Sequence, residues 1–153
     1  MAKIVEGAVA PDFELESAAS PIRSVDFKGR TLVLYFYPKD DTTGCTSEAK
    51  DFSALAPEFA KVGVAVVGVS KDSVKSHEKF AAKYGLTIPL GSDPEGKVVE
   101  AFESWVQKKL YGREYMGIDR STFLIRDGVI QRIWRKVKVA GHAQAVLDAA
   151  KAL

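Results

Sequence analysis

Two short, almost wholly apolar runs constrain this chain more than any other feature: Thr31–Tyr37, closed by Pro38, and Val64–Val69. Both are rich in β-branched and aromatic residues, the pattern of strands buried on both faces. Between them Ala49, Phe52, Leu55, Ala56 and Phe59 recur at three- and four-residue steps, one stripe of an amphipathic helix. Two strands joined through a helix must run parallel. Pro57 falls inside the stripe and is expected to kink or interrupt that helix.

The rest of the pattern extends this core. Asp12–Glu16 alternates in polarity, and Lys28-Gly29-Arg30 reads as a turn. Asp72 or Ser73 can cap a second helix that runs through Tyr84 and stops at Gly85. Glu95–Glu103 reads as a shorter helix. Ser121–Ile125 and Val129–Trp134 flank Arg126-Asp127-Gly128, and Asp-Gly between apolar runs signals an antiparallel hairpin. A closing helix spans about His142 to Leu153. The expectation is an α/β chain whose mixed central sheet is covered by helices on both faces. A thioredoxin-like architecture satisfies that order, and so does a small flavodoxin-like sheet.

With 153 residues, no repeat and no Pro/Gly/Ser linker, residues 1–153 are expected to form one domain. Twenty-two Lys and Arg face 20 Asp and Glu, a formal charge of +2 that provides no drive toward nucleic acid or anionic membranes. No apolar run approaches the roughly 18–20 residues of a membrane helix. The opening Met-Ala-Lys-Ile-Val-Glu-Gly shows no leader pattern, so a cytoplasmic location is expected. One cysteine excludes an internal disulfide, and His77 and His142 lie far apart in sequence, so no metal site is expected. No nucleotide-binding glycine motif is present.

The segment Pro38-Lys39-Asp40-Asp41-Thr42-Thr43-Gly44-Cys45-Thr46-Ser47-Glu48 leaves the C-terminal end of the first buried strand and enters the helix. Ligands bind at that edge of open α/β sheets. Cys45 falls near the first helical turn, where free N–H groups and the helix dipole favour an anion. Such a position can take a thiol from about 8.5 to roughly 3.5–7.5. The plain alternative is a small buried hydrophobe, but polar flanks of Lys, Asp, Thr, Ser and Glu make a poor setting for one.

These residues carry a resemblance. Pro38-x-x-x-Thr42-x-x-Cys45 resembles the active-site signature of peroxiredoxins, and Tyr37–Thr46 is similar to the bacterioferritin comigratory protein, or peroxiredoxin Q, branch. Ala10–Leu15, Gly68–Ser73, Tyr111-Gly112 and Gly117–Leu124 resemble further family blocks, so the likeness covers nearly the whole chain. It implies a thioredoxin-like fold and a cofactor-free peroxidase that reduces hydrogen peroxide and organic hydroperoxides through a Cys45 thiolate and its sulfenic acid. It further implies that Thr42 holds the thiolate and a peroxide oxygen through its hydroxyl. Arg120 would stabilise the thiolate and polarise the peroxide, Pro38 would shape and shield the loop, and Glu48 would orient an arginine.

The chain departs from many relatives in lacking a resolving cysteine. The two positions that the match offers are Lys50 and Ala81. It also lacks a Gly-Gly-Leu-Gly loop and a C-terminal Tyr-Phe segment, which implies looser closure over the oxidised site. Expected partners are therefore a peroxide and an external thiol reductant (thioredoxin, glutaredoxin or a small thiol). The expected state is a monomer that can pair through Cys45 on oxidation. Rival readings are a cysteine hydrolase using His77 or His142, and a redox sensor that is oxidised once per signal. On pattern alone His77 reads as a half-buried structural residue and His142 as a surface or capping residue. Arg132, Arg135, Lys136 and Lys138 read as a solvated strand end, and Trp105 and Trp134 as packing residues.

Overall fold

A computed structural model describes residues 3–153; the first two residues of the stretch read for a leader lie outside it. The strands are β1 (Glu14–Leu15), β2 (Ile22–Arg23), β3 (Thr31–Phe36), β4 (Val64–Ser70), β5 (Leu90–Ser92), β6 (Trp105–Leu110), β7 (Arg113–Ile118), β8 (Ser121–Arg126) and β9 (Val129–Trp134). The helices are α1 (Thr43–Lys61), α2 (Val74–Tyr84), α3 (Lys97–Ala101) and α4 (His142–Lys151). Five strands form the central sheet in the order β5-β4-β3-β8-β9. The two apolar runs lie side by side and parallel, Thr31 opposite Val64 and Phe36 opposite Val69. β8 runs antiparallel to β3, and β9 antiparallel to β8, as the Asp127-Gly128 turn requires. The mixed sheet expected from the pattern is present.

β3 is buried from Leu32 to Phe36 because it is central and covered on both faces. Val33, Tyr35 and Tyr37 pack with Phe52 and Phe59 of α1, Phe80 of α2 and Val146 and Leu147 of α4. Leu32, Leu34 and Phe36 point the other way, onto Val98 and Val99 of α3, Phe102, Phe13 and Leu15. Complete burial of each such side chain contributes about 1.5–3 kcal/mol. No helix among the described residues is long and apolar enough to cross a membrane.

Several local expectations need correction. Of the two outcomes expected at Pro57, interruption does not occur, because α1 runs continuously through it. The carbonyl of Ser53, which loses its helical donor to that proline, accepts instead from Thr87 Oγ1 at 3.4 Å. α3 is shorter than Glu95–Glu103. β5 falls in a segment with no strand-like alternation. β6 and β7 form a separate antiparallel ribbon with Trp105 opposite Ile118 and Leu110 opposite Arg113. Its turn is Tyr111-Gly112, both residues at positive φ (52° and 78°). Tyrosine is an uncommon choice there, so the turn lacked the Asn-Gly or Asp-Gly signature.

Candidate active site

Cys45 is placed by the junction of β3 and α1. Thr42 is the extended residue before the helix (φ −98°, ψ 157°), its carbonyl accepts from the Thr46 N–H at 2.8 Å, and Cys45 occupies the first turn. Cys45 is buried, 1% exposed. Arg120 comes from the short link between β7 and β8 and reaches the same turn. Its Nη2 donates to Cys45 Sγ at 3.2 Å and its Nη1 to Glu48 Oε1 at 2.6 Å. Glu48 lies three residues beyond Cys45 on α1, so both face the guanidinium across one helical turn. Gly44 leaves room for this, since a Cβ there would stand 3.2 Å from Arg120 Nη2.

The electrostatics are underbalanced. One guanidinium serves a sulfur and a carboxylate, and Glu48 Oε2 has no hydrogen-bond partner. Burial pushes Glu48 up to about 7, with Arg120 offsetting only part of that rise. Burial works against the charge on Arg120, but Glu48 and Cys45 more than compensate and hold it above its usual range. Tyr35, stacked on Phe52 at 4.6 Å, also buries an unpartnered hydroxyl; burial and then Glu48 raise its pKa well above the ordinary phenol value.

The structure brings Cys45, Arg120 and Glu48 into direct contact. Pro38 is exposed and lines a cleft of about 460 Å³ together with Arg120, Lys108, Tyr115 and Lys136. Thr42 is also exposed, and its hydroxyl donates to the Lys39 carbonyl at 2.9 Å, not to the sulfur; the oxygen is left able to accept. A slightly larger cavity of about 470 Å³ lies beside Arg30, Leu32 and Ile125. That is the end of the sheet where β3 begins, remote from Cys45. Lys50 is exposed, and Ala81 packs at the edge of the Cys45 core.

Neither histidine pairs with the sulfur. His77 bonds to Asp40 and the Gly91 carbonyl, and is fully buried, beyond the half-burial expected. His142 is not a surface residue: Nε2 lies 2.7 Å from Thr122 Oγ1, and burial, then Arg120, push its pKa down to about 4. Trp134 packs against its ring, 5.8 Å between centroids. Arg132, Arg135, Lys136 and Lys138 are all exposed, as expected of a solvated strand end, and Arg135 also donates to the carbonyls of Phe102 and Glu103 beyond α3. Sequence reasoning missed Asp40, Ser76 and the depth of His77. Their only sequence signal was polar character in the Cys45 loop and on α2.

The pattern of the AhpC/TSA family matches residues 7–133. Peroxiredoxin Bcp of Xanthomonas campestris is 55% identical over 125 residues, 81% of this chain and 78% of the relative. A solved structure of the X. campestris bacterioferritin comigratory protein, described with alkyl peroxide reduction activity, superposes with a TM-score of 0.87 at 49% identity, covering 92% of this chain and 90% of that one. Two cysteine-to-serine variants of X. campestris peroxiredoxin Q, altered at different positions, each superpose with a TM-score of 0.89 at 47% identity, covering 95% of this chain and 98% of theirs. That relative therefore has at least two cysteines where this chain has one.

Proposed function

Because this chain belongs to the AhpC/TSA family, in its Bcp or peroxiredoxin Q branch, and is a thiol-dependent peroxidase, we propose that Cys45 is the sulfur that reduces the peroxide. The observation that carries the assignment is the forked Arg120, 3.2 Å from Sγ and 2.6 Å from Glu48 Oε1. The sulfur attacks one peroxide oxygen; an S–O bond forms as the O–O bond breaks. Cys45 becomes a sulfenic acid, and the departing oxygen takes a proton and leaves as water or alcohol. Arg120 stays charged and offers a donor where negative charge grows on the departing oxygen. Glu48 orients it. The Thr42 oxygen, its own proton engaged by Lys39, accepts from the peroxide, and Pro38 screens the loop from water. The chemistry needs no metal or organic cofactor.

Recycling needs sulfur from outside, because neither Lys50 nor Ala81 supplies any. An external thiol condenses with the sulfenic acid, releasing water, and a second thiol then frees Cys45. Thioredoxin, glutaredoxin or a small thiol can fill that role, in an antioxidant enzyme of the reducing cytoplasm. The whole chain acts as one domain and one monomer. A Cys45–Cys45 pair between molecules requires the loop to open, since the sulfur is buried. The test is intact mass after one equivalent of hydrogen peroxide. One added oxygen, removed by thiol and absent in Cys45→Ser, is expected. Unchanged mass alongside continuing peroxide consumption would refute the assignment.

A further inference from the structure

The loop from Pro38 to Thr42 is held at a second point by residues that take no part in the chemistry above. Asp40 is its one buried residue. Asp40 Oδ1 accepts from the Tyr37 hydroxyl at 2.6 Å. Oδ2 accepts from Ser76 Oγ at 2.8 Å and lies 2.7 Å from His77 Nδ1. The backbone N–H of Asp40 donates to Asp72 Oδ2 at 2.8 Å, the same oxygen that accepts from Ser70 Oγ at 2.7 Å. The ends of β3 and β4 and the first turns of α2 therefore converge on a single loop residue.

The protons can be placed. His77 Nε2 lies 3.0 Å from the carbonyl oxygen of Gly91, which only accepts, so Nε2 carries a proton. Nδ1 faces a carboxylate oxygen, so a second proton lies between them. The two side chains, each 3% exposed, form a buried pair that shares this proton. Burial works to raise the Asp40 pKa, and hydrogen bonds from His77, Tyr37 and Ser76 bring it below its ordinary value. Such a pair holds tightly because removing one partner leaves the other's buried polar atom unsatisfied.

Resting on the assignment of Cys45 above, we propose that Asp40 and His77 are positioning residues for the peroxide reaction: the pair fastens the Pro38–Thr42 loop to α2 and keeps it in register with Cys45 and Arg120. Neither touches the sulfur. Their influence passes through the loop, whose other residues from Pro38 to Thr42 are exposed and have no buried anchor. A displacement of about 1 Å in such a loop can cost about 10² in rate.

The two ring nitrogens can be separated by substitution. In His77→Asn the amide nitrogen can take the place of Nδ1 and still donate to Asp40. In His77→Gln the amide reaches toward Gly91 and leaves Asp40 without its partner. The measurement is the second-order rate of Cys45 oxidation by hydrogen peroxide, by rapid quench and intact mass, with a thermal midpoint for each variant. His77→Gln is expected to lose about 10² in rate, and His77→Asn to recover to within about tenfold of wild type at a similar midpoint. Ser76→Ala, a milder change at the same carboxylate oxygen, is expected to lose roughly threefold to tenfold, the worth of one hydrogen bond. Wild-type rates in His77→Gln or Ser76→Ala overturn the proposal, as do equal losses in the Asn and Gln variants that track their midpoints. If the His77 variants do not fold, Ser76→Ala decides on the same terms. A wild-type chain that forms no sulfenic acid at Cys45 overturns instead the assignment on which the proposal rests.

Discussion

Two buried charged clusters flank the Pro38–Thr42 loop, and they differ in how completely their polar atoms are paired. Around Asp40 both carboxylate oxygens are engaged, both His77 nitrogens have partners, and the loop backbone is bonded as well. Around Arg120 one cation serves both Cys45 and Glu48, and a carboxylate oxygen remains unpartnered. A satisfied network rigidifies its surroundings, whereas a partly satisfied one keeps free energy available for a new partner. Under the two proposals above, the cluster left short of partners is the one assigned to meet substrate, and its saturated neighbour is the one assigned to hold the loop in shape.

The comparison breaks first at Arg120. Arg120→Ala is expected to lower peroxidase turnover by about 10²–10³, the usual effect of losing a donor to a developing oxyanion, while the chain stays folded. Peroxide consumption with excess thiol, alongside circular dichroism, measures both. Turnover within a few-fold of wild type would mean that the guanidinium is a packing residue.

Glu48→Gln sharpens the contrast through stability. A carboxyl raised from 4.5 to about 7 binds its proton more tightly folded than unfolded. Its contribution is therefore full below about 4.5 and is lost as pH rises through about 7. The amide keeps an oxygen for Arg120 Nη1 without the buried charge. Its thermal midpoint relative to wild type should climb between pH 4.5 and pH 8, and a pH-independent difference would contradict the shift.

The smallest effect belongs to the loop's exposed tie. Asp41 bonds Lys83 at 2.8 Å and Tyr84 at 2.5 Å, beside the buried Asp40 contacts. Exposed ion pairs are screened and restrict mobile side chains. Lys83→Ala should leave both melting and peroxide rate at wild-type levels. A slower peroxide reaction in that variant would shift the anchoring role from Asp40 to Asp41.

Much of this was legible from residue order. β3, β4, the β8–β9 hairpin, α2 with its Ser73 cap and the position of Cys45 all follow from local signals. The β6–β7 ribbon did not, because its Tyr111-Gly112 turn lacks the usual residues at positive φ. Nor did the unbroken passage of α1 through Pro57, because the compensating contact comes from Thr87, 34 residues after Ser53.

Sequence alone determined the position of the one cysteine, the parallel core that presents it and the absence of a second cysteine, since each depends on residue identity or on spacing within one element. Tertiary structure decided which charges share a site. Arg120 and Glu48 are separated by 72 residues and Asp40 and His77 by 37, and folding brings each pair within 2.7 Å. Periodicity reports which face of an element is apolar, not which polar groups from different elements meet behind it. Burial then gives those meetings their consequence, because a charge removed from water must find a partner or change its protonation.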